Sequence, residues 1–270
     1  MLSHRIITTL ILLPVVVGAV FLAPTWLFAL LCALVVLLGA WEWSGLIGLE
    51  RNSSRWSFLA LIAASLGLVY GEEPGLVLPL LLGAGVAWWL YALTRLAAFR
   101  GAEGGGGPLQ GAGGVLAGWL VLVPAWGALV WMHSLFAGAW YILLLLVITW
   151  AADVGGYFSG WAWGRRRLAP RISPGKTWEG ALGGFVLAIV AAVILRASPE
   201  LPPIQPGVFV LLVVTTVVFS VAGDLYESMI KRRRGVKDSG ALLPGHGGIL
   251  DRIDSLTAAA PIFAAGLYVV

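Results

Sequence analysis

Charged side chains are what this 270-residue sequence has least of: Asp, Glu, Lys and Arg make up 11% of it, against about a quarter in a soluble domain. So few charges cannot clothe a water-facing surface, which excludes a soluble globule. Cysteine occurs once, as Cys32 within an apolar run, so no disulfide framework exists and the thiol is expected to be buried and inert. Histidine occurs three times. His4 and His133 lie in loops or at span ends with no partner at metal-ligand spacing and read as surface residues. Against these absences stand a 60% hydrophobic content and a mean hydropathy of +0.94. The chain reads as an all-α polytopic membrane protein.

Apolar runs near the roughly 20 residues that a bilayer requires predict nine transmembrane helices, at about 5–23, 26–48, 56–72, 75–97, 114–133, 138–161, 178–196, 207–231 and 249–270. The third is short enough to be only half inserted. In the first, Phe21 at the third position before a cleavage site after Ala23, with Pro24 following, argues for a retained span rather than a signal peptide. With the N-terminus in the cytoplasm, 16 of the 17 Lys and Arg fall at cytoplasmic ends and only Arg196 lies outside, while the outer loops 71–75 (GEEPG) and 197–207 (ASPELPPIQPG) are acidic or proline-rich. The C-terminus is then outside. A pI near 9.5 invites a nucleic-acid reading, but the basic residues stand at the ends of apolar spans, where a membrane surface explains them, and no nucleic acid is expected. A low-complexity linker, 101–108 (GAEGGGGP), separates a scaffold half of four spans (1–100) from a half of five spans (109–270) that carries nearly all the polar groups.

Charge concentrates in residues 228–254, which hold six of the 17 basic residues and three of the five Asp between two long apolar runs. Topology signals need Lys and Arg, but they do not need Asp251, Asp254, His246 or the Gly247-Gly248 pair. At 3.6 residues per turn Asp224, Glu227, Ser228 and Lys231 share one helical face, and Asp251 and Asp254 with Ser255 share another. Two helices presenting carboxylates at one end suit a Mg²⁺ ion, with or without a second cation, whose octahedron phosphate oxygens and waters complete. Upstream, Asp153 sits inside an apolar run followed by a basic, proline-punctuated loop. A buried acid there costs roughly 2.5–3.5 kcal/mol on insertion scales unless it meets a cation. Gly175-Lys176-Thr177 tempts toward a nucleotide P-loop, but Pro170 stands where its first glycine belongs and no strand is expected before it. Instead Ser173 and Thr177 can cap the next helix, and Lys176 with the N–H groups of that terminus forms an anion cradle. Glu42, an intramembrane carboxylate, is divided evenly between a site role and a plain helix contact.

The run Ser228-x-Ile230-Lys231-Arg232, then Lys237-Asp238-x-Gly240, then Leu243-Pro244-x-His246-Gly247-Gly248-Ile249-x-Asp251-Arg252-x-Asp254, resembles the signature of the phosphatidate cytidylyltransferases. Residues 153–180, especially Ile172-Ser173-Pro174 and residues 176–180, are similar to that family's second landmark, with Trp161 standing where a basic residue is common and Gly175 where a second Lys is common. The resemblance implies a multi-pass enzyme of the plasma (inner) membrane, its active site at the cytoplasmic face, that joins CTP and phosphatidic acid into CDP-diacylglycerol and pyrophosphate. It implies Asp224 and Asp251 as metal ligands and catalytic groups, with Asp254 and Asp153 in support. Lys176, Lys231, Arg232, Lys237 and Arg252 become phosphate clamps, and Ser173, Ser228 and His246 orienting donors. The partners are CTP, phosphatidic acid and the lipid bilayer, and a homodimer is allowed. Two other readings stay open: a CTP-dependent polyprenol kinase, which would move the γ-phosphoryl group and need a base, and a cation-coupled transporter, which would put its acids near mid-membrane.

Overall fold

A chain segment in hydrocarbon must satisfy its own backbone polar groups, so apolar runs of this length fold as helices. The computed structural model describes residues 13–72, 75–99, 101, 111–240, 242 and 247–269. Among them are nine helices: α1 (Leu13–Leu22), α2 (Thr25–Leu46), α3 (Asn52–Gly71), α4 (Val77–Ala97), α5 (Ala112–Ser134), α6 (Gly138–Trp163), α7 (Trp178–Arg196), α8 (Pro206–Arg234) and α9 (Leu250–Val269). Seven of these, α2 to α8, are long and apolar enough to cross a membrane. The helix α3, expected to be short, has 20 residues. His4, residues 102–108 of the linker and Val270 lie outside the described residues.

Between α6 and α7 the chain forms an antiparallel hairpin, β1 (Arg167–Ala169) and β2 (Ser173–Thr177), with Arg167 opposite Thr177 and Ala169 opposite Ser173. A loop without strands was expected here. A two-stranded ribbon has only edge strands, which is where Pro174 can sit in β2 without removing a ladder bond from a sheet interior. The P-loop remains excluded, because Pro170 still occupies the glycine position.

The helices α6 and α7 touch backbone to backbone. A Cβ on Gly180 would lie 2.7 Å from the Gly156 carbonyl, one on Gly155 2.7 Å from that of Gly183, and one on Gly184 2.5 Å from that of Ala152. Each helix carries a Gly-x-x-x-Gly pair, 156 with 160 and 180 with 184, the spacing that lets membrane helices approach closely. At the centre α9 buries an unbroken stretch, residues 257–264, against α4, α5 and α8.

The basic termini gather at one end of the bundle. There Arg234 reaches Glu50 at the end of α2 (3.7 Å), the Arg232 Nε donates to the Ile172 carbonyl (3.1 Å), and Arg233 lies over the Phe99 ring beyond α4 (5.6 Å). The last turn of α8 is all Lys and Arg, which suits the negative end of the helix dipole, and Gly235 closes it at φ 73°. At the opposite end of α7, Arg196 donates to the Ile204 carbonyl (2.7 Å).

Candidate active site

The basic end of the bundle is hollowed by a cavity of about 490 Å³ between α6, the hairpin, the start of α7 and α8. Asp153, Ser173, Lys176 and Asp224 line it, and so do Ala152, Gly184, Val217 and Val221, which lie deeper along their helices. It is therefore polar at the mouth and apolar at the floor. The glycines that press α6 against α7 also open this space, since Gly156, Gly160, Gly180 and Gly184 all border it without side chains. Lys176 forms an ion pair with Asp224, 48 residues further along the chain, and Asp153 lies within electrostatic reach of both. Trp161, 80% exposed, and Gly175, with open space around it, stand at the rim.

Thr177 caps α7, its Oγ1 accepting from the Gly180 N–H (3.1 Å), while the Trp178 N–H donates to the Arg166 carbonyl (2.9 Å). Glu179 accepts the N–H groups of Arg165 (3.0 Å) and Arg166 (3.2 Å). The expected cradle of open backbone N–H groups is therefore not what this helix start offers: Trp178 and Gly180 already have acceptors, and a carboxylate stands in the first turn. Lys176 is the anion-binding feature that the local fold leaves.

Beyond the cavity the acids of α8 and α9 form a continuous row. The Ser228 Oγ donates to the Asp224 Oδ1 (3.3 Å), and the Lys231 Nζ lies between the Glu227 Oε1 (3.0 Å) and the Asp251 Oδ1 (2.5 Å). Asp254 is within electrostatic reach of Asp224, Glu227, Lys176 and Lys231. Asp153, Asp224, Glu227, Asp251 and Asp254 thus set five carboxylates against two ammonium groups, Lys176 and Lys231. The Glu227 Oε2 is buried without a hydrogen-bond partner. Hard oxygen donors, more carboxyl than ammonium groups and an orphaned carboxyl oxygen fit a hard divalent cation. Among the described residues no three acidic, His or Cys side chains are grouped closely enough to hold a metal by themselves. Mg²⁺ usually takes one or two carboxylates and completes its shell with waters and nucleotide phosphate oxygens.

Asp251 is the most heavily engaged acid. Besides Lys231 it accepts, on Oδ2, the Ser239 N–H (3.0 Å) and the Gly248 N–H (2.9 Å), and the same oxygen lies 3.0 Å from the Ser239 hydroxyl, which pins the segment after α8 to the start of α9. Glu42, reaching across from α2, accepts the N–H groups of Ile249 (3.0 Å) and Leu250 (2.8 Å) and lies 3.0 Å from the Ser239 hydroxyl.

Of the residues singled out in the sequence, Asp153, Ser173, Lys176 and Asp224 meet in one cavity, and Ser228, Lys231, Asp251 and Asp254 adjoin it. Arg232 docks the hairpin to α8, and Lys237 and Arg252 are exposed at the same end. His246 lies outside the described residues. Two acids were not placed in the site by sequence: Glu227 and Glu42. Glu227 was legible on the Asp224 face, whereas the partners of Glu42 lie 197 to 208 positions away.

Residues 3–270 match the sequence model of the cytidylyltransferase family. The phosphatidate cytidylyltransferase of Pseudomonas aeruginosa is 45% identical over 269 residues, covering 99% of this chain and 97% of that protein. That of Haemophilus influenzae is 38% identical over 284 residues and covers 98% of each. That of Bacillus subtilis is 48% identical over 125 residues, 46% of each.

Proposed function

This chain belongs to the cytidylyltransferase family, and we infer that it is a membrane-embedded nucleotidyltransferase that converts CTP and phosphatidic acid to CDP-diacylglycerol and pyrophosphate in phospholipid biosynthesis. The observation that carries the reading is the cavity under the hairpin, where Lys176, Asp224 and Asp153 stand over a floor of Ala152, Gly184, Val217 and Val221. A phosphate on a hydrocarbon tail needs that combination.

In the reaction an oxygen of the lipid phosphate attacks the α-phosphorus of CTP. The new P–O bond forms as the bond to the oxygen bridging the α- and β-phosphates breaks, and pyrophosphate leaves with the electron pair. The nucleophile is already ionised, so the site needs no strong base, which suits its wealth of cations and acids and its poverty in histidine. Lys176 holds a phosphate at the mouth, with Lys231, Arg232, Lys237 and Arg252 behind it, and Ser173 and Ser228 orient oxygens. Mg²⁺, held by Asp224 and Asp251 with Asp153 and Asp254 in support and Glu227 beside them, would neutralise charge on the transferring group when bound. Since charge bias sets membrane orientation, the site belongs at the cytoplasmic face of the plasma (inner) membrane, where CTP is supplied. Residues 1–100 act as scaffold and 109–270 as the catalytic half.

The test is label placement with purified protein in detergent, phosphatidic acid and Mg²⁺. CTP labelled at the α-phosphate labels the lipid with stoichiometric release of pyrophosphate. Lipid labelled from the γ-phosphate instead would make the protein a kinase and overturn the reading.

A further inference from the structure

We propose that Glu42 is a positioning residue for this reaction: through Ser239 it sets Asp251 and the first turn of α9 against α8. The inference rests on the reaction proposed above. Glu42 is 5% exposed and sits in an apolar helix. Among the described residues no Lys or Arg forms an ion pair with it. A buried carboxylate is costly unless its oxygens are bonded. Among the described residues its donors all lie between α8 and the first turn of α9: the N–H groups of Ile249 and Leu250 and the Ser239 hydroxyl. The positive end of the α9 dipole faces the same carboxylate. Glu42 therefore caps α9 from another helix.

The surrounding backbone is shaped to this carboxylate. A Cβ on Gly240 would collide with it, and one on Gly248 would collide with it and with the Ser239 hydroxyl, so neither position leaves room for a side chain. Ser239 then links it to the reacting end. Its hydroxyl lies 3.0 Å from both the Glu42 Oε2 and the Asp251 Oδ2 and has one proton, which serves one acceptor at a time. Asp251 already holds the Ser239 N–H, so the hydroxyl is available to Glu42. The chain Glu42, Ser239, Asp251, Lys231, Glu227 runs without a gap from a scaffold helix to the acids of α8. Glu42 does not line the cavity, so it acts through Asp251.

Glu42→Gln keeps the size but turns an NH₂ group toward one of the two backbone N–H groups. We expect kcat to fall by about 10- to 100-fold while the KM for phosphatidic acid changes by less than about threefold, and Mn²⁺ affinity, read by electron paramagnetic resonance on the purified protein with CTP, to weaken by at least about fivefold. Ser239→Ala, which keeps the N–H bond to Asp251, should lower kcat by a smaller factor, about 3- to 10-fold. The double variant should be no worse than Glu42→Gln alone, because both act through one chain. Wild-type kcat and Mn²⁺ affinity in Glu42→Gln, or effects that multiply in the double variant, overturn the proposal. Were Glu42→Gln not to purify, Ser239→Ala decides by the same two readouts, unchanged values of both overturning it. A wild-type protein that fails to label lipid from α-labelled CTP refutes the reaction instead. The Mn²⁺ comparison still judges Glu42 in that case.

Discussion

Asp224→Asn perturbs the acid on which both halves of the site depend. The carboxylate pairs with Lys176 and accepts the Ser228 hydroxyl, and the amide keeps its shape while removing its charge. The side chains of Lys176 and Asp224 are 28% and 25% exposed, so the pair is partly screened and contributes roughly 0–1 kcal/mol to stability. Folding and membrane insertion should therefore hardly change. Activity should change far more, because two charge-assisted contacts depend on this one group: that to the cation and that which holds Lys176 in place. At about 1.5–3 kcal/mol for each, the loss in kcat/KM lies at roughly 10²–10⁴-fold. Partial recovery is expected at high Mg²⁺ or with Mn²⁺, since mass action offsets a weakened site. The assay is transfer of α-label from CTP to lipid across a Mg²⁺ series, with thermal unfolding in detergent as control. Wild-type turnover with wild-type Mg²⁺ dependence would make Asp224 structural and sink the mechanism. An equal loss of activity and thermal stability would do the same.

Other consequences are open to direct measurement. Asp251→Asn, losing charge opposite Lys231, should abolish nearly all turnover and, because it also holds Ser239 and Gly248, lower the unfolding midpoint more than Asp224→Asn does; the reverse order of midpoints would contradict its anchoring role. Lys176→Ala should cost roughly 10–150-fold in kcat/KM with normal expression, and unchanged kinetics would leave it a topology residue. Gly184→Leu drives a side chain into the Ala152 carbonyl and should destabilise the α6–α7 pair by about 1–3 kcal/mol, read as lost yield or midpoint. A reporter that fluoresces only in the cytoplasm, fused at the C-terminus, should stay dark, and a bright fusion would reverse the orientation inferred from the 16 basic residues at one end.

What the sequence revealed and what it concealed divide along a physical line. Apolar runs announce helices because each helix satisfies its backbone locally, so α2 to α8 fall close to the spans read from hydropathy. The face shared by Asp224, Glu227, Ser228 and Lys231 was legible for the same reason, being fixed by spacing within one helix. The hairpin was not, since eight strand residues with a Pro and a Gly among them carry no period to read. The paired Gly-x-x-x-Gly spacing of α6 and α7 was there to be seen, but its meaning depends on two helices facing each other. Contacts between elements are further out of reach, because nothing in hydropathy says which carboxylate meets which donor. Lys176 finds Asp224 across 48 positions, and Glu42 finds Leu250 across 208. That distance bears on what Glu42 is for. A helix start can be capped by a Ser, Thr or Asp of its own segment, yet α9 also takes a buried acid from α2, so the position of its first turn is tied to the scaffold as well as, through Asp251, to Ser239 before it. Asp251 lies in that turn, and its spacing from Lys231 is then set by the packing of α2, α8 and α9 together.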